Sequence, residues 1–170
     1  MSPEKALKVS VLTVSDSRSK ETDRSGQSLV QGVETAGHQL ANYEIVADNL
    51  YLIRAIVATW IADSNCDAII TTGGTGLTGR DVTPEAVQPL LDRDIAGFGE
   101  LFRHLSYEDI GSSTMLSRAF AGLANGTLVF CLPGSTGACE LAWKHIIAAQ
   151  LDHETKPCNF AQLIPRLKEH

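Results

Sequence analysis

The sequence has no long apolar run, and its first residues lack the apolar stretch and small-residue cleavage site of a secretory signal. A membrane-spanning helix needs roughly 18 uninterrupted apolar residues, which no window of the chain provides. We therefore expect a soluble protein, located in the cytoplasm, without membrane contacts.

Basic clusters and transition-metal motifs are also missing. The formal net charge of −6 repels polyanions, and no cluster of Lys or Arg offsets it, so we expect no nucleic-acid partner. The 5 histidines include no HExxH pairing, which argues against a tightly bound transition metal. The 4 cysteines show no CxxC spacing, and three of them lie in or beside apolar segments, so we expect reduced, structural thiols.

The length of 170 residues predicts one domain, and the order of its segments predicts the fold class. Strands are predicted at 9–14, 39–47 and 67–72, with helices between them that begin near Ser25 and after Asp48. Alternation of strand and helix favours parallel pairing with helices on both faces of the sheet. The expected fold is a three-layer α/β/α sandwich with a mostly parallel sheet.

Four further features are predicted in the second half of the chain. Thr83 and Pro84 are typical of the N-cap and first position of a helix. A helical stripe ends at Gly111, and it is formed by Phe98, Leu101, Phe102 and Leu105. Strands at 118–123 and 127–132 flank Asn125-Gly126, the pair that best suits a type I′ hairpin turn. A last helix opens at Gly134-Ser135, and the tail at 152–170, which has no clear periodicity, is expected to pack on a neighbour or to be loose.

Residues 71–86, TTGGTGLTGRDVTPEA, are the strongest functional signal. Glycines directly after a buried strand let backbone N–H groups approach an anion closely, so we predict a ligand-binding loop. Gly74 to Gly79 also matches the GxGxxG pattern of dinucleotide-binding proteins, which leaves a nicotinamide-dependent oxidoreductase as a weak alternative. The residues typical of a helix start appear only at Thr83 and Pro84, however, after these glycines. The strand before them is the third of the chain, whereas the dinucleotide-binding pattern normally follows the first.

Two other groups of residues can contribute to a phosphate site. Pro133, Gly134 and Ser135 lie where a strand ends and a helix begins, a position that offers free N–H donors, although Ser135 could equally be a simple N-cap. Asp16, Asp48 and Asp81 follow strands or loops whose ends converge in a parallel sheet. Asp48 and Asp81 could jointly hold Mg²⁺ with help from substrate phosphates, while helix capping is the alternative role of Asp48.

Taken together, these stretches resemble the MogA/MoaB family of molybdenum cofactor biosynthesis proteins, which also includes the G domain of gephyrin. The resemblance covers nearly the whole chain in order, and the length and the C-terminal PCNF are more similar to MoaB-type members. The matching stretches are TVSDS at 13–17, DRSG at 23–26, TTGGTGLTGRDVTPEA at 71–86, GFGELFR at 97–103, TMLSRAFAG at 114–122 and LPGSTGA at 132–138.

The resemblance implies that the chain binds molybdopterin and, with ATP and Mg²⁺, transfers AMP to the terminal phosphate of the pterin, releasing pyrophosphate. It implies catalytic and metal-binding roles for Asp48 and Asp81. The residues expected to bind substrate are Ser15, Asp16, Ser17, Thr72, Gly73, Gly74, Thr75, Gly76, Pro133, Gly134 and Ser135, with Asp23, Ser25 and Glu100 in support.

Two further expectations follow from the resemblance. Family members that bind without catalysing leave a non-catalytic molybdopterin-binding or scaffolding protein as the alternative function. A homo-oligomer, trimer or hexamer, is expected, together with possible contacts to other cofactor-biosynthesis proteins.

Overall fold

The computed structural model describes residues 6–167, in which a six-stranded sheet forms the middle layer. Its strands are β1 (Lys8–Val14), β2 (Gln39–Val46), β3 (Ala68–Thr72), β4 (Arg93–Asp94), β5 (Phe120–Ala124) and β6 (Thr127–Leu132), and they lie in the order β2-β1-β3-β6-β5-β4. Strands β2, β1, β3 and β6 pair in parallel, whereas β5 is antiparallel to β6 and β4 is antiparallel to β5. The predicted fold class, a mostly parallel sheet with one hairpin, is confirmed.

Helices cover both faces of this sheet. They are α1 (Arg24–Thr35), α2 (Leu50–Ala62), α3 (Thr83–Val87), α4 (Ala96–Ile110), α5 (Thr136–Ala142), α6 (Ala148–Leu151) and α7 (Phe160–Leu163). A π-helical turn, Trp143–Ile147, joins α5 to α6, and a 3-10 segment, Gly111–Leu116, follows α4. Within residues 6–167, every helix falls short of the length and apolar character that a membrane crossing requires.

The central strands β1, β3 and β6 are buried on both faces because each face of the sheet supports a separate core. On one side Val9 and Val11 of β1 pack with side chains from α1, α4 and α5, including Leu29 and Phe102. On the other side Leu12 packs with side chains from α2 and α3. Fully burying one such aliphatic or aromatic side chain stabilises the fold by roughly 1.5–3 kcal/mol. This two-sided burial explains why the strands show continuous apolar runs rather than alternation.

The stripe on α4 contributes mainly to the chain's own core. Phe98 and Phe102 are buried, and the ring of Phe98 contacts that of Phe130 edge-on at 5.4 Å between centroids. Leu101, by contrast, is 44% exposed. The helix ends at Gly111, as predicted, and this glycine has a positive φ of 57°. The buried side chains of this stripe pack within the chain and give no support to an interface between copies. The expected homo-oligomer therefore stays a prediction.

Two predicted helix starts differ from the structure. Asn49, not Asp48, caps α2, and its side chain accepts hydrogen bonds from the N–H groups of Tyr51 and Leu52. Thr83 is the first residue of α3 rather than its cap, and its hydroxyl donates instead to the carbonyl of Gly73 at 2.8 Å. The side chains of Asp48 and Thr83 therefore do not cap helices and can contact the loops at the edge of the sheet.

The C-terminal segment is more ordered than predicted. Helix α7 places Ala161 in the core of its own chain, and the ring of Phe160 lies 6.3 Å from that of Phe130. Phe160–Leu163 is therefore not loose, while the expected packing of the tail on a neighbour stays a prediction; residues 168–170 lie outside the described part of the chain.

Candidate active site

A cleft of about 550 Å³ opens at the carboxyl ends of β1, β3 and β6. These ends are level because Thr13 of β1 pairs with Thr72 of β3, and Thr72 pairs with Leu132 of β6. In open α/β sheets, ligands bind at this edge. The lining residues are Thr13, Val14, Ser15, Ser17, Arg18, Asp48, Thr72, Gly73, Gly74, Thr75, Gly76, Asp81, Ser113, Leu116, Ser117, Pro133, Gly134 and Ser135.

The glycine loop forms the floor of this cleft. Gly73 and Gly74 have φ values of 105° and 65°, a region that side-chain-bearing residues rarely adopt. A Cβ at Gly73 would lie 2.2 Å from the carbonyl oxygen of Val14, and one at Gly74 would lie 2.4 Å from the hydroxyl of Thr83. Only glycine lets the loop turn this tightly over the ends of β1 and α3.

The side chain of Asp81 forms hydrogen bonds within the same loop. Its Oδ2 accepts a hydrogen bond from the N–H of Thr78 at 2.9 Å and another from the Thr78 hydroxyl at 2.6 Å. Burial opposes ionisation, but these bonds and the nearby Arg118 guanidinium hold the pKa of Asp81 below its usual value. A Cβ at Gly76 would lie 2.6 Å from the same oxygen, so the glycine makes room for an ionised carboxylate.

Asp48 lies across the loop in a different electrostatic setting. Burial, and then the negative charge of Asp16, raise the pKa of Asp48, and Asp81 adds to the increase while Arg80 opposes it. The backbone N–H of Asp48 donates to a carboxylate oxygen of Asp16 at 3.1 Å, and Asp16 in turn pairs with the Arg80 guanidinium. The two cleft carboxylates thus repel each other, a situation that a bound cation relieves.

The opposite wall is formed where β6 ends. Ser135 caps α5, accepting from the N–H of Ala138 at 3.2 Å, so the predicted capping role is present even though Ser135 also lines the cleft. A Cβ at Gly134 would lie 3.3 Å from Cα of Gly73, which shows how closely the two loops approach. The side chain of Arg18 reaches this wall and donates to the Ser25 hydroxyl at 3.1 Å.

Most of the predicted site residues line this one cleft. They are Ser15, Ser17, Asp48, Thr72, Gly73, Gly74, Thr75, Gly76, Asp81, Pro133, Gly134 and Ser135. Asp16 lies beside the cleft, where it holds the backbone of Asp48. The structure therefore brings the glycine loop, the Ser135 helix start and both aspartates to one cleft.

Asp23 and Ser25 lie behind the wall rather than in the cleft. The buried carboxylate of Asp23 caps α1 and accepts from the hydroxyls of Thr13 at 2.5 Å and Tyr43 at 2.7 Å. Although burial acts against it, these hydrogen bonds and that from the N–H of Gly26 lower the pKa of Asp23. Ser25 donates to the carbonyl of Gly134 at 3.1 Å. Both residues fix the wall from the α1 side.

The structure places Glu100 elsewhere. It is exposed on α4 and lines a second depression of about 460 Å³ between α4 and the edge of the sheet at β4 and β5. The expected supporting role of Glu100 therefore has no geometric basis in the cleft.

Several lining residues had no local signal in the sequence. Ser113, Leu116 and Ser117 belong to the segment after α4, and they were given no role in the site although Leu116 and Ser117 lie in the matching stretch TMLSRAFAG. Arg18 is the one basic side chain among the described lining residues, and its position in a polar loop gave no indication of this role. Arg118 lies just behind Asp81; it was predicted as the start of a strand and lies within the matching stretch TMLSRAFAG, but it was given no role in the site, and the strand begins at Phe120 in the structure.

The residues present fit a magnesium ion that arrives with a nucleotide. Within the described chain, no three His, Cys, Asp or Glu side chains lie together as a metal site. Asp48 and Asp81 supply two carboxylates that line the same cleft. Mg²⁺ is commonly held by one or two carboxylates with substrate phosphates and water as the other ligands, so this pair matches that pattern.

The dinucleotide-binding alternative does not fit the backbone. Helix α3 begins at Thr83, after the last glycine of the pattern, so no helix N-terminus lies within Gly74 to Gly79. A Cβ at Gly79 would contact nothing within 4 Å, so the final glycine of the GxGxxG match is not needed for close packing.

Comparison with known proteins defines the class first. Residues 10–153 match the family described as "Probable molybdopterin binding domain". The chain therefore belongs to this family, as the resemblance implied. The match includes every element that lines the cleft.

Within this family the chain is a member of the MoaB group of molybdenum cofactor biosynthesis proteins. It is 52% identical over 162 residues to molybdenum cofactor biosynthesis protein B of Escherichia coli strain K12, covering 95% of this chain and 94% of that protein. A crystal structure of molybdenum cofactor biosynthesis protein B superposes with a TM-score of 0.87 at 45% identity, covering 95% of this chain and 97% of the other. The tungsten cofactor synthesizing protein MoaB from Pyrococcus furiosus matches at 38% identity with a TM-score of 0.73, covering 84% of this chain and 91% of the other.

Proposed function

We propose that this chain binds molybdopterin in the cleft and transfers AMP from ATP to the terminal phosphate of the pterin. An oxygen of that phosphate forms a bond to the α-phosphorus of ATP. The bond between the α-phosphorus and the oxygen bridging to the β-phosphorus breaks, and pyrophosphate leaves with the electron pair. The products are adenylyl-molybdopterin and pyrophosphate, and no proton acceptor stronger than a phosphate is needed.

The observation that carries the proposal is the pair of carboxylates, Asp48 and Asp81, on either side of a glycine loop. Both reactants are anions, so attack by the phosphate oxygen on the phosphorus atom depends on neutralising their charge and on aligning them. Mg²⁺ bound by Asp48 and Asp81 would supply the positive charge. Backbone groups of Gly73 to Gly76 lie close enough to the cleft surface to contact phosphates directly, because no side chains cover them.

The remaining lining residues suit an anionic ligand at the opposite wall. Ser135 and Gly134 stand at the start of α5, and Arg18 adds a guanidinium to the same side. We place the terminal phosphate of molybdopterin here, so that it faces the nucleotide across the cleft. Ser113 and Ser117 supply further hydroxyls at the mouth.

The test is incubation of the protein with molybdopterin, ATP and Mg²⁺, followed by mass detection of the adenylylated product and assay of pyrophosphate. Asp81→Asn and Asp48→Asn should each lower kcat by about 100-fold or more, the range seen when one charge-stabilising group is removed. Asp109→Asn, a charge change at an exposed position on α4 outside the cleft, should leave turnover unchanged.

Full turnover by Asp81→Asn would remove the proposed mechanism. Tight binding of molybdopterin by the wild-type protein with no adenylylated product under saturating ATP would instead establish a non-catalytic binding protein. The family match supports binding in either case, whereas the carboxylate pair is what favours catalysis.

A further inference from the structure

Arg118 lies behind the glycine loop, two residues before β5, and makes three hydrogen bonds to the backbone of the loop. Its Nε donates to the carbonyl of Gly76 at 2.8 Å, and its Nη2 donates to the carbonyl of Asp81 at 2.7 Å. Its backbone N–H donates to the carbonyl of Thr75 at 3.0 Å. One residue from a distant part of the chain therefore holds three carbonyl groups of the loop.

The same guanidinium also ties the loop to the following helix. Its Nη1 donates to a carboxylate oxygen of Glu85 on α3 at 2.5 Å. This hydrogen bond is the largest cause that keeps the pKa of Glu85 below its usual value. The planar guanidinium group of Arg118 bonds to two carbonyls and one carboxylate in fixed directions as well as at fixed distances. The ammonium group of a lysine cannot do this.

The geometry of the loop shows what this attachment achieves. Gly76 and Asp81 are five residues apart in sequence, and the contacts inside the intervening turn join Asp81 to Thr78 and to the backbone N–H of Gly76. These inner contacts orient the carboxylate within the turn but do not attach the turn to the sheet. Arg118 bonds to the turn from outside and joins it to the segment just before β5 and to α3.

We propose that Arg118 is the positioning residue that holds the Asp81 carboxylate in place for the metal-dependent step, acting through the backbone of the glycine loop. The inference rests on the proposed transfer reaction and names the residue on which its metal site depends. Arg118 does not line the cleft, and its effect on the reaction is transmitted through Gly76 and Asp81.

Arg54 offers a matched control. It also donates to main-chain carbonyls of α3, those of Glu85 at 2.8 Å and Ala86 at 3.2 Å, but it makes no described contact with residues 73–81. Arg54→Ala and Arg118→Ala therefore each remove an arginine side chain that bonds to α3, and only the second also removes bonds to the loop.

The activity test compares Arg118→Ala, Arg118→Lys and Arg54→Ala with the wild-type protein. Arg118→Ala should lower kcat by about 10–100-fold, as removal of a group that orients a metal ligand does, and should raise the Mg²⁺ concentration for half-maximal rate. The KM for molybdopterin should change little, since the Ser135 wall does not contact Arg118. Arg118→Lys should restore little, whereas guanidinium ion added to Arg118→Ala should restore part of the rate without affecting Arg54→Ala.

A second measurement does not depend on catalysis. Hydrogen exchange should be faster in peptides covering residues 74–82 of Arg118→Ala, unchanged there in Arg54→Ala, and slowed again by guanidinium ion. Exchange in that segment indistinguishable from wild type would overturn the inference, as would equal losses of rate in both variants. If the wild-type protein forms no adenylylated product, the transfer proposal fails, and the exchange result still decides whether Arg118 positions the loop.

Discussion

Individual glycines in the loop after β3 have unequal roles. Gly73 combines a φ of 105° with an approach that would bring a Cβ to 2.2 Å from the carbonyl oxygen of Val14. Gly79 lacks a positive φ, and a Cβ placed on it would have no other atom within 4 Å. A pattern of four glycines therefore contains some that the backbone requires and one that it does not.

Gly73→Ala should lower the free energy of unfolding by about 1–3 kcal/mol, since alanine in this conformation is strained and its methyl group meets a backbone oxygen that cannot move freely. Urea denaturation followed by circular dichroism measures the change. Gly79→Ala is the matched control and should leave stability nearly unchanged. Equal stability of the two variants would contradict the backbone role assigned to Gly73.

At the scale of elements, the start of α2 matters to the site because it directly follows Asp48. Asn49 accepts hydrogen bonds from the N–H groups of Tyr51 at 3.0 Å and Leu52 at 3.1 Å. These bonds satisfy two of the helix donors that have no partner within the helix. With Asn49 as the cap, the side chain of Asp48 is left to face the cleft.

Asn49→Ala should reduce the free energy of unfolding by about 1 kcal/mol, the usual cost of losing an N-cap side chain. Asn49→Ser keeps a capping oxygen and should remain close to wild type in the same thermal or chemical denaturation experiment. An alanine variant as stable as the serine variant would show that the cap contributes nothing.

At the scale of the whole molecule, the buried His38 bonds to the residue before β1 and lies within electrostatic range of Asp152 and His153 near the C-terminus. The side chain is 5% exposed, and its Nδ1 accepts a hydrogen bond from the N–H of Leu7 at 3.2 Å. Burial lowers the pKa of His38 from its ordinary value, and His153 acts in the same direction, while Asp152 and Asp67 oppose the change. The folded protein therefore disfavours protonation of His38 relative to the unfolded chain.

This burial predicts that stability falls with acidification. Because the unfolded chain binds a proton at His38 more readily than the folded chain does, the free energy of unfolding should decrease as the pH falls below about 6.5 and be constant above it, as far as this group contributes. His38→Gln should reduce the slope between pH 6.5 and 5.5 in urea denaturation. His104→Gln, at an exposed position on α4, should retain the wild-type slope; equal slopes in all three proteins would exclude His38 as the cause.

The sequence by itself determined the layered fold and most of the cleft. Continuous apolar runs, a helical period between them and Asn125-Gly126 at the hairpin are local signals, and each element they predict is present. The glycine loop and Ser135 were predictable for the same reason, since both directly follow strands whose parallel pairing brings their ends together.

Tertiary structure alone decided which polar side chains meet at that edge. Asp23 and Glu100 have the residue type of a functional carboxylate, yet one caps a helix behind the wall and the other lies over a different depression. Arg118 shows the reverse, because it is 42 residues from Gly76 in sequence and still bonds to its carbonyl. The physical reason is that backbone conformation follows from neighbouring residues, whereas the partner of a long charged side chain depends on how the finished elements pack.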